Sequence, residues 1–130
     1  MNQTIDAVVA SFHRCRADDV FVDTFYEIFM AKSPDIAEMF ADTNFKIQKL
    51  MLRESLMEML LFAQGIPGAA EEVEKLGRRH KELKVTPVMY AMWLDSLCAA
   101  VEQHDSECTP EISQQWRQAM QKGIDAMQAL

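Results

Sequence analysis

"LGRRHKELKVTPVMY", residues 76–90, carries one of only three histidines in the chain, and the reading of the fold turns on it. His80 stands among Arg78, Arg79 and Lys81, company that by itself marks a wet helix face. Leu76 lies four residues before it and Leu83 three after. At 3.6 residues per turn the imidazole therefore shares the inward stripe of a helix otherwise covered in charge. The stretch runs on into "TPVMY". There a hydroxyl residue can cap free N–H groups while proline takes the first helical position, where its missing donor costs nothing. Taken alone, such a histidine is a ligand, a catalytic group or one more polar residue on an amphipathic helix.

The same start signal recurs at "SPDI" from Ser33 and "TPEI" from Thr109. From these anchors helices are predicted at about 34–40, 87–104 and 110–129. The last has Ile112, Trp116, Met120, Ile124 and Met127 on one stripe. Upstream, Ile5, Val8, Val9 and Phe12 mark a helix over about 4–15. "DDVFVDTFYEIFMA" reads as a second, with Phe21, Phe25 and Phe29 aligned and Asp18 or Asp19 near its start. A long helix at about 44–64 stops at "GIPG", and a charged one at about 69–82 carries His80. No stretch alternates with period two, and no internal repeat is present. The pattern predicts an all-α chain of about seven helices in one domain spanning residues 1–130.

Composition agrees. A chain of 130 residues with 49% hydrophobic and 25% charged residues suits one globular core, and only four glycines and four prolines leave few tight turns. A net charge of −7 argues against a sequence-independent grip on nucleic acid or on an anionic membrane. The strongest apolar run, "LMEMLLFA", is far shorter than a membrane span. "MNQTIDAVV" lacks the basic region and cleavage site of a signal peptide. Cys15, Cys98 and Cys108 are odd in number and widely spaced, which suggests a reducing cytoplasm and neither a disulfide framework nor a cysteine zinc site. The ten methionines read as adaptable core filling.

Polar residues on faces that ought to be buried point toward chemistry. Gln48 interrupts a stripe of Phe45, Leu52, Leu56 and Met59, and Tyr26 adjoins the Phe21/Phe25/Phe29 row. Each is either a boundary residue or a donor aimed into an apolar pocket. No second histidine, cysteine or carboxylate falls at a metal-binding distance from His80; neither "HKE" nor "HDSEC" makes a zinc site. One histidine cannot hold a bare zinc ion. It can be the single protein ligand to an iron whose other ligands come from a porphyrin.

Four segments, in order, resemble the globins, specifically the bacterial single-domain, flavohaemoglobin-like branch without a reductase. "FYEIFMAKSPDIAEMF" has a tyrosine, Tyr26, with Phe40 fourteen residues later. "NFKIQKLML" is similar to the start of the distal helix, with Gln48 and then Leu52. "RRHKELKVTPVMY" is similar to the proximal segment, with Tyr90 ten residues after His80. "TPEISQQWRQAMQKGIDAMQAL" has the length and stripe of the closing helix.

The resemblance implies a globin fold around one haem pocket, holding haem b (iron protoporphyrin IX). It implies His80 as proximal iron ligand and Tyr26 and Gln48 as distal ligand-binding residues. Phe29, Phe40, Leu52, Leu76, Arg79, Val85 and Tyr90 would contact the cofactor, with Leu52 and Phe29 keeping the pocket dry. The second nitrogen of His80 would need an acceptor, expected at a backbone carbonyl near Leu76. Family members often set a carboxylate of the last helix against that histidine; here "GIDAMQAL" offers Asp125 but no glutamate, and Tyr90 resembles the tyrosine that assists in that network. Arg79, Lys49 and Lys84 are candidate partners for the haem propionates. The implied function is reversible binding of a diatomic gas: oxygen, nitric oxide or carbon monoxide. Nitric oxide dioxygenation would require a separate reductase, and a haem-based sensor would signal to a partner in trans. A homodimer through the last two helices, around Trp93, Leu97 and Val101, is a further expectation. Without haem, the chain would be a helical interaction module in which His80 is a surface residue.

Overall fold

The computed structural model describes residues 3–130, and among them there are seven α-helices and no strand. In chain order they are α1 (Gln3–Arg16), α2 (Phe21–Ala31), α3 (Pro34–Met39), α4 (Phe45–Ala63), α5 (Ala69–Glu82), α6 (Pro87–His104) and α7 (Pro110–Gln128). The three hydroxyl–proline signals act as read. Ser33 Oγ accepts from Asp35 N at 3.1 Å, Thr86 Oγ1 from Met89 N at 3.2 Å and Thr109 Oγ1 from Ile112 N at 3.1 Å. Each satisfies one of the free donors at a helix start. Asn44 does the same for α4, its Oδ1 accepting from Lys46 N at 3.1 Å.

The second helix is shorter than the sequence suggests. It begins at Phe21, after a turn in which Asp18 N donates to Cys15 O and Asp18 Oδ1 accepts from Val20 N. Asp18 therefore shapes the turn, and no side chain caps α2. The break after α4 is made by glycine: Gly68 has φ +91°, a left-handed conformation that side chains resist.

α2 packs across α6, while α4 and α1 pack on α7. Between them Phe12, Phe25, Leu56, Leu97, Trp116 and Met120 are fully buried. Gly77 lets α5 lie hard against the end of α7, since a Cβ there would meet Leu130 Cδ1 at 2.6 Å and Met127 Cγ at 2.9 Å. That close approach sets the depth of the helix that carries His80.

The C-terminal end of α6 is held by polar groups. Asp105 is 3% exposed. It accepts from Arg14 Nε at 2.5 Å, Arg14 Nη2 at 2.9 Å and Ser11 Oγ at 2.6 Å; Ser11 in turn accepts from Trp116 Nε1 at 2.9 Å. Beside it, His104 bridges Asp18 Oδ2 at 2.5 Å and Thr24 Oγ1 at 2.6 Å, tying α2 to α6.

The expected dimer face is interior. Leu97 and Val101 are fully buried, and Trp93 packs against the core, because α6 is enclosed by α1, α2 and α7. Among the described residues no helix is long and apolar enough to cross a membrane.

Candidate functional site

One cavity of about 510 Å³ opens between α2, α3 and α4 on one side and α5 with the start of α6 on the other. Ile124 and Met127 of α7 lie at its back. All ten residues singled out from the sequence line it: Tyr26, Phe29, Phe40, Gln48, Leu52, Leu76, Arg79, His80, Val85 and Tyr90. They come from four helices, α2, α4, α5 and α6, and from the loops at Phe40 and Val85, so only folding brings them together.

On the wall formed by α2 and α4, Tyr26 is 3% exposed and caged by Phe25, Phe40 and Phe45, whose ring centres lie 4.9, 5.6 and 5.4 Å away. Its hydroxyl accepts from Gln48 Nε2 at 3.0 Å. The tyrosine's own proton points toward the backbone carbonyl of Gln48 at 3.4 Å, a long contact. Burial pushes the phenol up to about 12, outweighing the Gln48 hydrogen bond that lowers it, so the group stays an O–H donor at neutral pH. Gln48 is thus the group that orients Tyr26, and the tyrosine proton is the one left weakly engaged.

On the α5 wall, His80 Nδ1 faces Tyr90 Oη at 3.2 Å, with the rings edge to face. This differs from the carbonyl near Leu76 expected for that nitrogen; the start of α6 brings Tyr90 within reach instead. Among the described residues Nε2 has no protein partner. Burial lowers the pKa of the imidazole, which favours the neutral form that can ligate a metal. Asp125 is exposed and accepts from Gln121 Nε2 at 2.7 Å, so no carboxylate of α7 reaches His80. Of the three candidate propionate partners only Arg79 lines the cavity, with Nη1 3.3 Å from Glu82. Lys49 is paired with Asp23, and Lys84 sits in the left-handed turn after α5 with φ +61°.

The structure adds residues that pattern reading missed. Met51, Ser55 and Met59 line the cavity with Gln48 and Leu52, whereas Leu56 turns into the core. The stripe of α4 that faces the cavity is rotated toward residue 55, a position three beyond Leu52 that a polar side chain disguises. Met39, Met51 and Leu83 line the cavity yet are 37%, 49% and 46% exposed, so its mouth is rimmed by apolar groups.

These residues fit a haem group. The volume lies in the range of cofactor sites, the walls are apolar, and one neutral imidazole offers a single unpartnered nitrogen. Among the described residues no group of three or more His, Cys, Asp or Glu could hold a metal ion.

The comparisons with known proteins point the same way. A family model described as Globin matches residues 23–127. The fold is similar to that of protein PA3967 from Pseudomonas aeruginosa, with a TM-score of 0.93 and 36% identity over 98% of this chain and 97% of that one. The crystal structure of that protein is described as structurally highly homologous to a human hemoglobin. No curated protein matches the sequence.

Proposed function

The chain belongs to the globin family, and from that premise we propose that it binds a diatomic gas, oxygen first, reversibly at a haem b held by His80. The observation that supports this most directly is the pairing of two walls of one cavity. One offers an unpartnered imidazole nitrogen, and the other a tyrosine O–H held in place by a glutamine. When bound, haem supplies an iron atom with one open position for a gas. The chain's own residues do the rest. His80 binds from α5 and is oriented by Tyr90. Phe29, Phe40 and Leu52 exclude water. Tyr26 donates a hydrogen bond to the polar end of the ligand, which slows its escape. Arg79 offers a cation to the charged edge of the macrocycle.

Reconstitution with haem followed by oxygen titration tests the reading. A Soret band and a saturable, reversible spectral change on adding oxygen are expected. A protein that takes up no haem, or whose reduced form is oxidised by oxygen without a reversible phase, overturns it. Steady nitric oxide consumption on adding a reductase would assign the same donors to turnover.

A further inference from the structure

Glycine is the poorest helix former after proline, yet α5 carries Gly77 three residues before His80, and α7 carries Gly123. Both are buried where another helix comes close, but the two contacts differ in stiffness. At Gly123 a Cβ would meet only the Met59 side chain, Cε at 2.8 Å and Cγ at 3.3 Å, atoms that can swing aside. At Gly77 it would meet Leu130 Cδ1 and Met127 Cγ, and it would also come within 3.1 Å of Met127 Cα. That last atom is backbone of α7 and moves only with its helix. One turn on, Lys81 Nζ donates to Leu130 O at 3.3 Å, so the same face of α5 is tied twice to the same end of α7. His80 lies between these two ties in the chain and turns toward the cavity, which Met127 also lines.

Resting on the reading that His80 holds the haem iron, we propose that Gly77 is a positioning residue for gas binding. Its contact with Met127 and Leu130 sets how far His80 reaches into the cavity, and through that the strength of the iron–histidine bond and the gas affinity. The magnitudes favour a real effect. A metal site tolerates only about 0.2 Å in a ligand distance. A methyl group at Gly77 would have to move α5 off the Met127 backbone by a few tenths of an ångström to reach ordinary van der Waals contact. His80 travels with α5. Phe40 and Leu52 stand on other elements and keep their places, so the change falls on the bond that His80 makes. A helix carrying a ligand thus gives up a better helix former at one position to lie at a fixed depth.

The test is resonance Raman spectroscopy of the full chain, loaded with haem and reduced, with oxygen dissociation constants measured alongside. Gly77→Ala should shift the iron–histidine stretching band and change the dissociation constant about threefold or more. Gly77→Ala/Leu130→Ala should bring both part of the way back, because the second change removes the nearest obstacle; a substitution that only loosened the fold would add its effect instead. Gly123→Ala, the same change made against a side chain that can swing, should leave the band in place. In the haem-free chain Gly77→Ala should lower the midpoint of denaturant unfolding, although alanine is the better helix former. An unmoved band in a folded Gly77→Ala overturns the proposal. So does a double variant that departs further from wild type, an equal shift in Gly123→Ala, or a raised haem-free midpoint. If circular dichroism shows that Gly77→Ala has not folded, Leu130→Ala carries the reading, since Leu130 is 40% exposed and its truncation spares the core. The band must then move in that variant, and a wild-type band overturns the proposal. A wild type with no iron–histidine band at all overturns the haem reading and this proposal with it, an outcome distinct from the others.

Discussion

The two ends of α6 are built on opposite terms. Its C-terminal end meets α1 and the α7 corner through Asp105, Arg14, Ser11 and Trp116, a connected set in which a buried carboxylate has charged and neutral donors. Its N-terminal end borders a cavity where Val85, Met89 and Tyr90 face open space and one imidazole nitrogen has no partner among the described residues. An apolar cavity forfeits packing contacts along its walls. A closed polar lock at the other end of the same helix helps offset that loss. Stability and binding are thereby separated along one helix, and substitutions at the two ends should fail in different ways.

The largest effect is expected at the open end. On the proposed reading, His80→Gly removes the only protein ligand to iron and abolishes the wild-type Soret spectrum. The fold should survive, because the cavity gains space and loses no charged partner. Adding free imidazole should restore the spectrum. Should haem bind His80→Gly with an unchanged spectrum, another residue is the ligand and the contrast between the two ends loses its basis.

Asp105→Asn probes the locked end. It leaves Arg14 facing a neutral amide and should cost about 2–3 kcal/mol, less than a fully sealed pair because the Arg14 side chain is 27% exposed. Denaturant unfolding measures this, while gas affinity should stay unchanged. The pH dependence has a definite sign. Burial raises the Asp105 carboxyl, but the hydrogen bonds from Arg14 and Ser11 outweigh it and hold the group below the ordinary carboxylate range. The folded state therefore binds fewer protons there than the unfolded chain. Its stabilisation is complete above the ordinary value of about 4 and is lost as pH falls through the lower folded value. The variant should show a flatter stability profile across that window; parallel profiles would show that the lock contributes nothing there.

The open end was the more legible in the sequence. His80, Tyr26 and Gln48 stand out because each breaks an apolar stripe, and their spacing to Tyr90, Phe40 and Leu52 carries the resemblance to globins. The helices were legible too, since three of them start with a hydroxyl–proline pair that caps its own helix. The locked end left no such mark. Ser11 and Asp105 are 94 residues apart, and each looks locally like a surface residue. Only the packing of α1 against α6 and α7 makes them partners. The same limit explains Trp93, Leu97 and Val101: a helix enclosed on most sides has the same pattern as one with a sticky face. It explains the missed Ser55 as well, since a small polar residue lining a cavity cannot be told from one facing solvent.

Within the cavity, Tyr26→Phe should matter next. Loss of one hydrogen bond of about 1.5 kcal/mol would speed oxygen dissociation about tenfold. The apolar cage of Phe25, Phe40 and Phe45 should hold the new ring in place, so stability changes little. Flash photolysis or stopped-flow mixing gives the rate, and a wild-type rate would mean that the tyrosine proton stays on the Gln48 carbonyl.

The smallest effect is expected at Tyr90, and its smallness is the sharpest contrast with Asp105. If Nε2 keeps its lone pair for the cavity, Nδ1 carries the proton and donates to Tyr90 Oη across 3.2 Å. Tyr90→Phe removes that acceptor, yet what remains is a neutral N–H on a helix with backbone carbonyls one turn away. A neutral hydrogen bond of this kind contributes about 0.5–1 kcal/mol, so gas affinity should shift about two- to fivefold. The iron–histidine stretching band should move with it as the imidazole reorients. At Asp105 the loss of a partner leaves the Arg14 charge with only the exposed Glu107 carboxylate at 3.6 Å; at His80 a replacement acceptor is close at hand. If Tyr90→Phe cost as much as Asp105→Asn, the proximal wall would be a lock of the same kind, and the division along α6 would not hold.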